Sequence, residues 1–294
     1  MKTIKTAFVG LGNIGKPMAL RLAASDAVEL QVFDVDPEPV AELVAAGATA
    51  ADSIGALGNW ADVVCVMVRD DDQVRAVLAE MLAELTQRTS MVPVSFVVHS
   101  TVAPTTPDEL QKQVMSVCGF AVEVMDAPVS GGAMGAADGS LAIMVGAADV
   151  EGYRAVEPVL SLMGSKVVHA GGLGAGTRFK LARNLLHFVS FTAATEASRL
   201  AEAAGIDLVA LGDVVRHTDA ITGGPGAIMH RDTTAPIPDD DAWHGIFTHV
   251  LALGEKDLGH AIELADQLGV DVPLARLALD RLGAGLGLEG DRHA

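Results

Sequence analysis

Ile4-Lys5-Thr6-Ala7-Phe8-Val9-Gly10-Leu11-Gly12-Asn13-Ile14-Gly15-Lys16-Pro17-Met18-Ala19 is the stretch that decides the fold. Ile4 to Val9 reads as a strand, and Ile14 to Ala24 as a helix with Pro17 in its first turn, where a missing N–H costs little. Between them, Gly10 to Gly15 matches G-x-G-x-x-G. In such a turn the first glycine allows the sharp reversal, the second lets backbone approach a pyrophosphate, and the third lets helix pack on strand. The diphosphate then meets N–H groups at a helix N-terminus. A bare glycine pattern is weak evidence, but its setting between a strand and a helix makes it a dinucleotide-binding turn. The expected cofactor-binding residues are therefore Gly10, Leu11, Gly12, Asn13, Ile14 and Gly15.

Working outward, Val28 to Phe33 reads as the second strand and ends at Asp34, 19 residues after Gly15. A carboxylate there accepts hydrogen bonds from both ribose hydroxyls of NAD and repels the 2′-phosphate of NADP. The residues that follow, Val35, Asp36 and Pro37, bring no cation to reverse this. NAD is the expected cofactor, with NADP the less favoured possibility.

The same alternation continues. Pro37 to Ala46 is helical and stops at Gly47, a C-cap residue. Further strands are expected at Val63–Val68, Val92–Val98, Ala121–Met125, Leu141–Val145 and Lys166–His169, with helices at Asp72–Leu85, Pro107–Val117 and Val150–Met163. Strands apolar on both faces, separated by amphipathic helices, imply a mostly parallel sheet covered on both sides. The rhythm changes near Gly171. A long proline-free helical pattern runs from Thr177 to Ala204, and Leu208–Val215, Thr248–Leu268 and Pro273–Leu282 are helical too. The expected architecture is α/β: a doubly wound domain over 1–171, then an all-helical C-terminal domain over 172–294 that begins with the long interdomain helix. The tail from Gly283 to Ala294 reads as frayed.

Composition narrows the function. Half of the 294 residues are hydrophobic and the formal net charge is −18. Such a surface repels phosphate backbones and anionic lipid, so neither a nucleic-acid nor a membrane partner is expected. Cys65 and Cys118 form no CxxC or His/Cys cluster, which leaves no metal site and no disulfide framework in view. Neither a signal-peptide core nor a bilayer-spanning apolar stretch stands out, so the cytoplasm is the default compartment.

A second glycine segment runs Asp126-Ala127-Pro128-Val129-Ser130-Gly131-Gly132-Ala133-Met134-Gly135-Ala136-Ala137-Asp138-Gly139-Ser140-Leu141. It reads as a structured loop at the C-terminal end of a strand, where doubly wound folds bind ligands. Ser130 with Gly131-Gly132 offers a hydroxyl and accessible N–H groups, an uncharged way to hold a carboxylate; an ordinary surface loop is the competing reading. Further on, Lys180 and Asn184 stand at i and i+4 of the long helix, with Phe179, Leu181 and Ala182 able to desolvate the ammonium and lower its pKa. Taken alone, such a lysine reads as a solvated surface charge.

Together these segments resemble those of the β-hydroxyacid dehydrogenases, a family with an N-terminal Rossmann domain that includes 3-hydroxyisobutyrate dehydrogenases, tartronate semialdehyde reductases and glyoxylate/succinic semialdehyde reductases. The resemblance spans nearly the whole chain. It implies that Ser130, Gly131 and Gly132 bind the substrate carboxylate. It implies that Lys180 passes the proton while hydride moves between nicotinamide and the carbonyl carbon, and that Asn184 bonds the substrate oxygen or orients Lys180. Ser100-Thr101-Val102-Ala103-Pro104 resembles the family's S-T-x-x-P, which puts Thr101 at the nicotinamide end. Lys256-Asp257-Leu258 resembles its K-D-L, with Lys256 a cofactor contact and Asp257 its positioning partner. Val68 stands in the Met-Leu-Pro position beside the cofactor.

Departures are also plain: Arg183 replaces a frequent asparagine, His99 an acidic residue, Arg69 a proline and His249 a phenylalanine. The segment from Thr222 to Phe247 admits two readings, a lid or a surface loop. These bear on the substrate rather than the reaction type. The expected activity is hydride transfer between NAD(H) and a small β-hydroxyacid or its semialdehyde, in a homo-oligomer, dimer or tetramer. Imine reduction on the same fold and a non-catalytic NAD-binding scaffold are the alternatives.

Overall fold

The computed structural model describes residues 3–85, 93–118 and 121–288. Val92, the expected start of one strand, and the end of the tail lie outside them. The chain opens with β1 (Ile4–Val9), α1 (Gly15–Ala23), β2 (Val28–Phe33) and α2 (Pro37–Ala45), whose N-terminus is capped by the Asp36 carboxylate on the Glu38 N–H. Next come β3 (Thr49–Ala50) and α3 (Ile54–Trp60), which the sequence did not reveal. Two glycines make α3 a poor intrinsic helix former, yet they let it approach its neighbour: a Cβ on Gly58 would lie 2.4 Å from the Met81 side chain. Ser53 caps α3 on the Ala56 N–H.

There follow β4 (Val63–Val66), α4 (Asp71–Glu84), β5 (Val94–Val98), α5 (Thr106–Val117) and β6 (Val122–Asp126). Strand β4 ends two residues before the expected Val68. The Val68 N–H and carbonyl are taken by the Ser100 hydroxyl at 3.0 and 2.7 Å, not by a neighbouring strand. The stretch expected as a structured loop carries β7 (Val129–Ser130) and α6 (Gly132–Asp138), followed by β8 (Ala142–Gly146), α7 (Val150–Leu160) and β9 (Lys166–Gly171).

Among the described residues nine strands form one sheet, in the order β3-β2-β1-β4-β5-β6-β8-β7 with β9 beside β8. Pairing is parallel except where β8 meets β6 and β7. Alternate strand residues feed opposite faces. Phe8, Val32, Cys65, Val97 and Met125 pack with α1 and α7 on one side; Ala7, Val9, Val64, Phe96 and Val124 pack with α3, α4 and α5 on the other. Each fully buried large side chain contributes roughly 1.5–3 kcal/mol. The direction of strand order reverses at β1, between β2 and β4, and that crevice is where such sheets take ligands.

Beyond the sheet lie α8 (Ala175–Ala203), α9 (Leu208–Thr222), a single 3-10 turn at Gly224–Gly226, α10 (Ala242–Leu268) and α11 (Pro273–Gly285). The chain divides into two compact units, Met1–Arg183 and Asn184–Ala294. This division falls inside α8. The first turns of α8 belong with the sheet: a Cβ on Gly176 would lie 2.1 Å from the Met144 carbonyl oxygen. In the second unit, the 222–247 segment is not all loop. Ile237 and Phe247 are buried with Leu286 and Leu288 against Trp243, which also stacks on His230. The tail is therefore packed as far as Leu288. Among the described residues no helix is long and apolar enough to cross a membrane.

Candidate active site

A cavity of about 640 Å³ opens at the β1 crevice, lined by Gly10, Gly12, Asn13, Ile14 and Gly15, by Asp34 and Val35, by Met67, Val68 and Arg69, and by one face of α4. Gly10 and Gly15 take the turn and packing stations their spacing predicts, and Gly12 lies open between them. Gly10 has φ +94°, and a Cβ there would strike the Met67 carbonyl oxygen at 2.2 Å. A Cβ on Gly15 would meet the Gly10 carbonyl oxygen at 2.0 Å, so helix and strand are as close as backbone allows. At Gly12 nothing lies within 4 Å. That open station faces the cavity, and no side chain caps α1. The cleft thus fits a dinucleotide: it has the volume of a ligand site, an open glycine and uncapped N–H groups. Leu11 is buried beneath the turn.

Asp34 is placed by its own turn. Its Oδ2 accepts the Leu11 N–H at 2.5 Å and its Oδ1 the Asp36 N–H at 2.9 Å. The carboxyl group thus sits fixed at the cavity wall, with lone pairs to spare for hydroxyl donors. Arg69 is the cation of this lining, and its guanidinium is 2.8 Å from Asp70.

Ser100 ties the ends of β4 and β5 together through Val68. Asp71, in the first turn of α4, accepts the Ala103 N–H at 2.9 Å and the Thr106 hydroxyl. The loop that carries Thr101 is thus tethered at both ends, with Thr101 exposed and outside the cavity lining. His99 is structural: it is buried, its Nδ1 lies 2.9 Å from the Ala127 carbonyl, and burial pushes its pKa down to about 4. Its ring lies parallel to Phe8 at 6.2 Å. Burial likewise pushes the Cys65 thiol up to about 12, which removes it as a nucleophile.

At the other end of the sheet, Lys180 is only 8% exposed and its Nζ donates to Ser130 Oγ at 3.3 Å. The helix face and the strand-end serine, 50 residues apart in the chain, are thus brought together. Burial holds the Lys180 pKa below the ordinary lysine range, and the positive charge of Arg183 pushes the same way. The next two residues, Gly131 and Gly132, take φ of +137° and +63°, the left-handed region that a side chain would strain. Asn184 follows Lys180 by one turn, as the first residue of the second unit. Lys256, on α10, forms an ion pair with Asp257 at 3.2 Å.

One residue of this site was not singled out in the sequence. Asp126 is wholly buried, and its two oxygens accept the Gly174 N–H at 2.6 Å and the Thr177 N–H at 2.5 Å. Burial pushes its pKa up, and these N–H groups oppose that shift. No local pattern could have revealed it, because the helix start it meets lies far along the chain.

Residues 5–172 match the family model for the NAD binding domain of 6-phosphogluconate dehydrogenase, and residues 174–292 that for the NAD-binding of NADP-dependent 3-hydroxyisobutyrate dehydrogenase. An uncharacterized oxidoreductase of Mycobacterium tuberculosis is 48% identical over 288 residues, covering 98% of this chain and 95% of that protein. The structure of 3-hydroxyisobutyrate dehydrogenase from Mycobacterium tuberculosis, determined with L-serine, is 31% identical with a TM-score of 0.65, covering 98% of this chain and 97% of the other. An imine reductase from Myxococcus stipitatus in complex with NAD+ shares the fold at 17% identity and a TM-score of 0.74, covering 98% of this chain and 96% of the other.

Proposed function

The chain belongs to the 3-hydroxyisobutyrate dehydrogenase family of NAD-binding oxidoreductases, and from that premise we propose that it interconverts a small 3-hydroxyacid and its semialdehyde, with Lys180 moving the proton. The observation that carries this reading is the buried Lys180 ammonium, 3.3 Å from Ser130 Oγ. Bound NAD(H) supplies or receives the hydride at its nicotinamide ring. In reduction Lys180 donates a proton to the carbonyl oxygen as negative charge grows on it; in oxidation the neutral amine takes the hydroxyl proton. Ser130 and the Gly131 and Gly132 N–H groups hold the substrate carboxylate. Asn184 bonds the substrate oxygen or orients Lys180. Gly10 to Gly15, Asp34, Val68, Thr101 and Lys256 hold the cofactor, and Asp34 selects NAD over NADP.

The test is turnover across C3–C5 3-hydroxyacids, including 3-hydroxyisobutyrate and L-serine, and the matching semialdehydes, with a cyclic imine for comparison. Turnover of hydroxyacid or semialdehyde is expected, with NAD(H) favoured over NADP(H) by about tenfold or more, a difference of about 1.4 kcal/mol. A clear preference for NADPH would remove Asp34 as the selector. Imine reduction alone would favour the imine-reductase reading, and NADH binding without any turnover a scaffold.

The second unit supports a homo-oligomer, dimer or tetramer. Neither α9 nor α11 buries a residue, and Leu185, Phe188 and Phe191 on α8 and Val209 and Ile221 on α9 are all more than half exposed. Apolar faces of this extent are normally covered. Light scattering should return at least twice the 30.3 kDa chain mass. A monomer at micromolar concentration would contradict this.

A further inference from the structure

The geometry points to Asp126 as the residue that positions Lys180 against Ser130, by capping the first turn of the helix that carries the lysine. This rests on the proton-transfer reading of Lys180. An α-helix leaves its first four N–H groups without intrahelical partners. Here a carboxylate from the end of β6 meets two groups at the start of α8, Gly174 N at 2.6 Å and Thr177 N at 2.5 Å. Charge-assisted bonds of this kind are about twice as strong as neutral ones. Thr177 precedes Lys180 by three residues, so holding its N–H sets the rotation of the helix as well as its start.

Close backbone contact reinforces the cap. Gly146 pairs with Asp126 across β6 and β8, and a Cβ on it would lie 2.2 Å from Asp126 Oδ1 and 3.0 Å from the Ala175 nitrogen. The other end of the contact refers to the same residue. From Asp126 the chain passes through buried Ala127 to β7, where Val129 pairs with Ile143 and Ser130 with Ala142. Asp126 thus ties the helix that presents Lys180 to the strand from which the chain runs on to Ser130, while β8 holds Ser130 itself in place. A misplacement of about 1 Å at a reacting group can cost about 10²-fold in rate.

Asp126→Asn keeps the shape but turns an NH2 group toward one of the two N–H donors. Thr177→Pro removes one of those donors from the helix side, at a first-turn position where proline is tolerated. The two variants attack one bond from opposite ends, so the test does not depend on either folding alone. Brief acetylation with acetic anhydride, read by peptide mass spectrometry against Lys16 and Lys256 in the same sample, reports how shielded Lys180 is. Labelling of Lys180 is expected to rise about tenfold as the local structure opens.

With 3-hydroxyisobutyrate and NAD+, and with enzyme normalised by NADH stoichiometry, kcat is expected to fall about 10²-fold while KM and the NADH Kd stay within about threefold. In a Lys180→Ala background, Asp126→Asn should cost nothing further, the non-additivity of residues that act as one unit. Unchanged Lys180 labelling in a folded variant would overturn the assignment, as would an equal kcat loss with and without Lys180. If Lys180→Ala leaves turnover intact, the proton-transfer reading fails, and the labelling still decides whether Asp126 holds the lysine.

Discussion

Lys180→Ala is expected to lower kcat by about 10³-fold while NADH still binds within about twofold of the wild-type Kd, the range that loss of a positioned acid or base usually produces. Three facts set this expectation. The side chain is almost wholly shielded, it is aimed at Ser130, and its pKa lies below the usual lysine range because of burial and of Arg183. The direction of that shift fixes the pH behaviour. In oxidation the neutral amine is the active form, so the rate rises with pH through the lysine's pKa. In reduction the ammonium is the active form, so the rate falls through the same pKa. Both limbs should lie at lower pH than a solvated lysine would place them. The alanine variant should lose this ionisation from both pH–rate profiles. Turnover and profiles unchanged by the substitution would take Lys180 out of the mechanism.

Gly12→Val should weaken NADH binding by about 10²-fold or more, about 2.7 kcal/mol, while shifting Tm by only about 2–4 °C. Beyond its own chain neighbours, no protein atom lies within 4 Å of a Cβ at Gly12, so the protein itself tolerates the side chain. The methyl groups would instead occupy the path of a diphosphate toward the N–H groups of α1. The same change at Gly15 would fail for another reason, since a Cβ there collides with the Gly10 carbonyl oxygen at 2.0 Å. Fluorescence titration with NADH and a thermal melt separate the two effects. Wild-type affinity in the valine variant would mean that the cofactor does not use this turn.

Strands β1 and β2 could be read from the sequence to the residue, because an apolar run bounded by glycine or aspartate leaves little freedom in where it ends. The turn at Gly10 to Gly15 was equally plain. Helix α3 was hidden because its two glycines suppress helix propensity, and they are there for packing against α4. Helix α6 was hidden for a related reason: it follows one positive-φ glycine, begins on another and spans only Gly132–Asp138. The start of α10 at Ala242 was missed because a segment with several prolines and aspartates reads as loop until Asp241 is seen to cap Trp243.

Caps supplied from a distance were the least legible feature. Asp126 takes the N–H groups of Gly174 and Thr177, and Glu196, also buried, takes those of Leu274 and Ala275 at the start of α11 at 2.8 and 3.0 Å. By itself, the sequence determined the α/β order, the glycine turn between β1 and α1 and the acidic residue at the end of β2, because strand, turn and helix preferences are set by neighbours in the chain. Only the tertiary structure decided that Lys180 is a shielded group on Ser130 and not a solvated surface charge. Burial and a contact across 50 residues depend on how β6, β7 and α8 pack, and a one-dimensional pattern does not carry that.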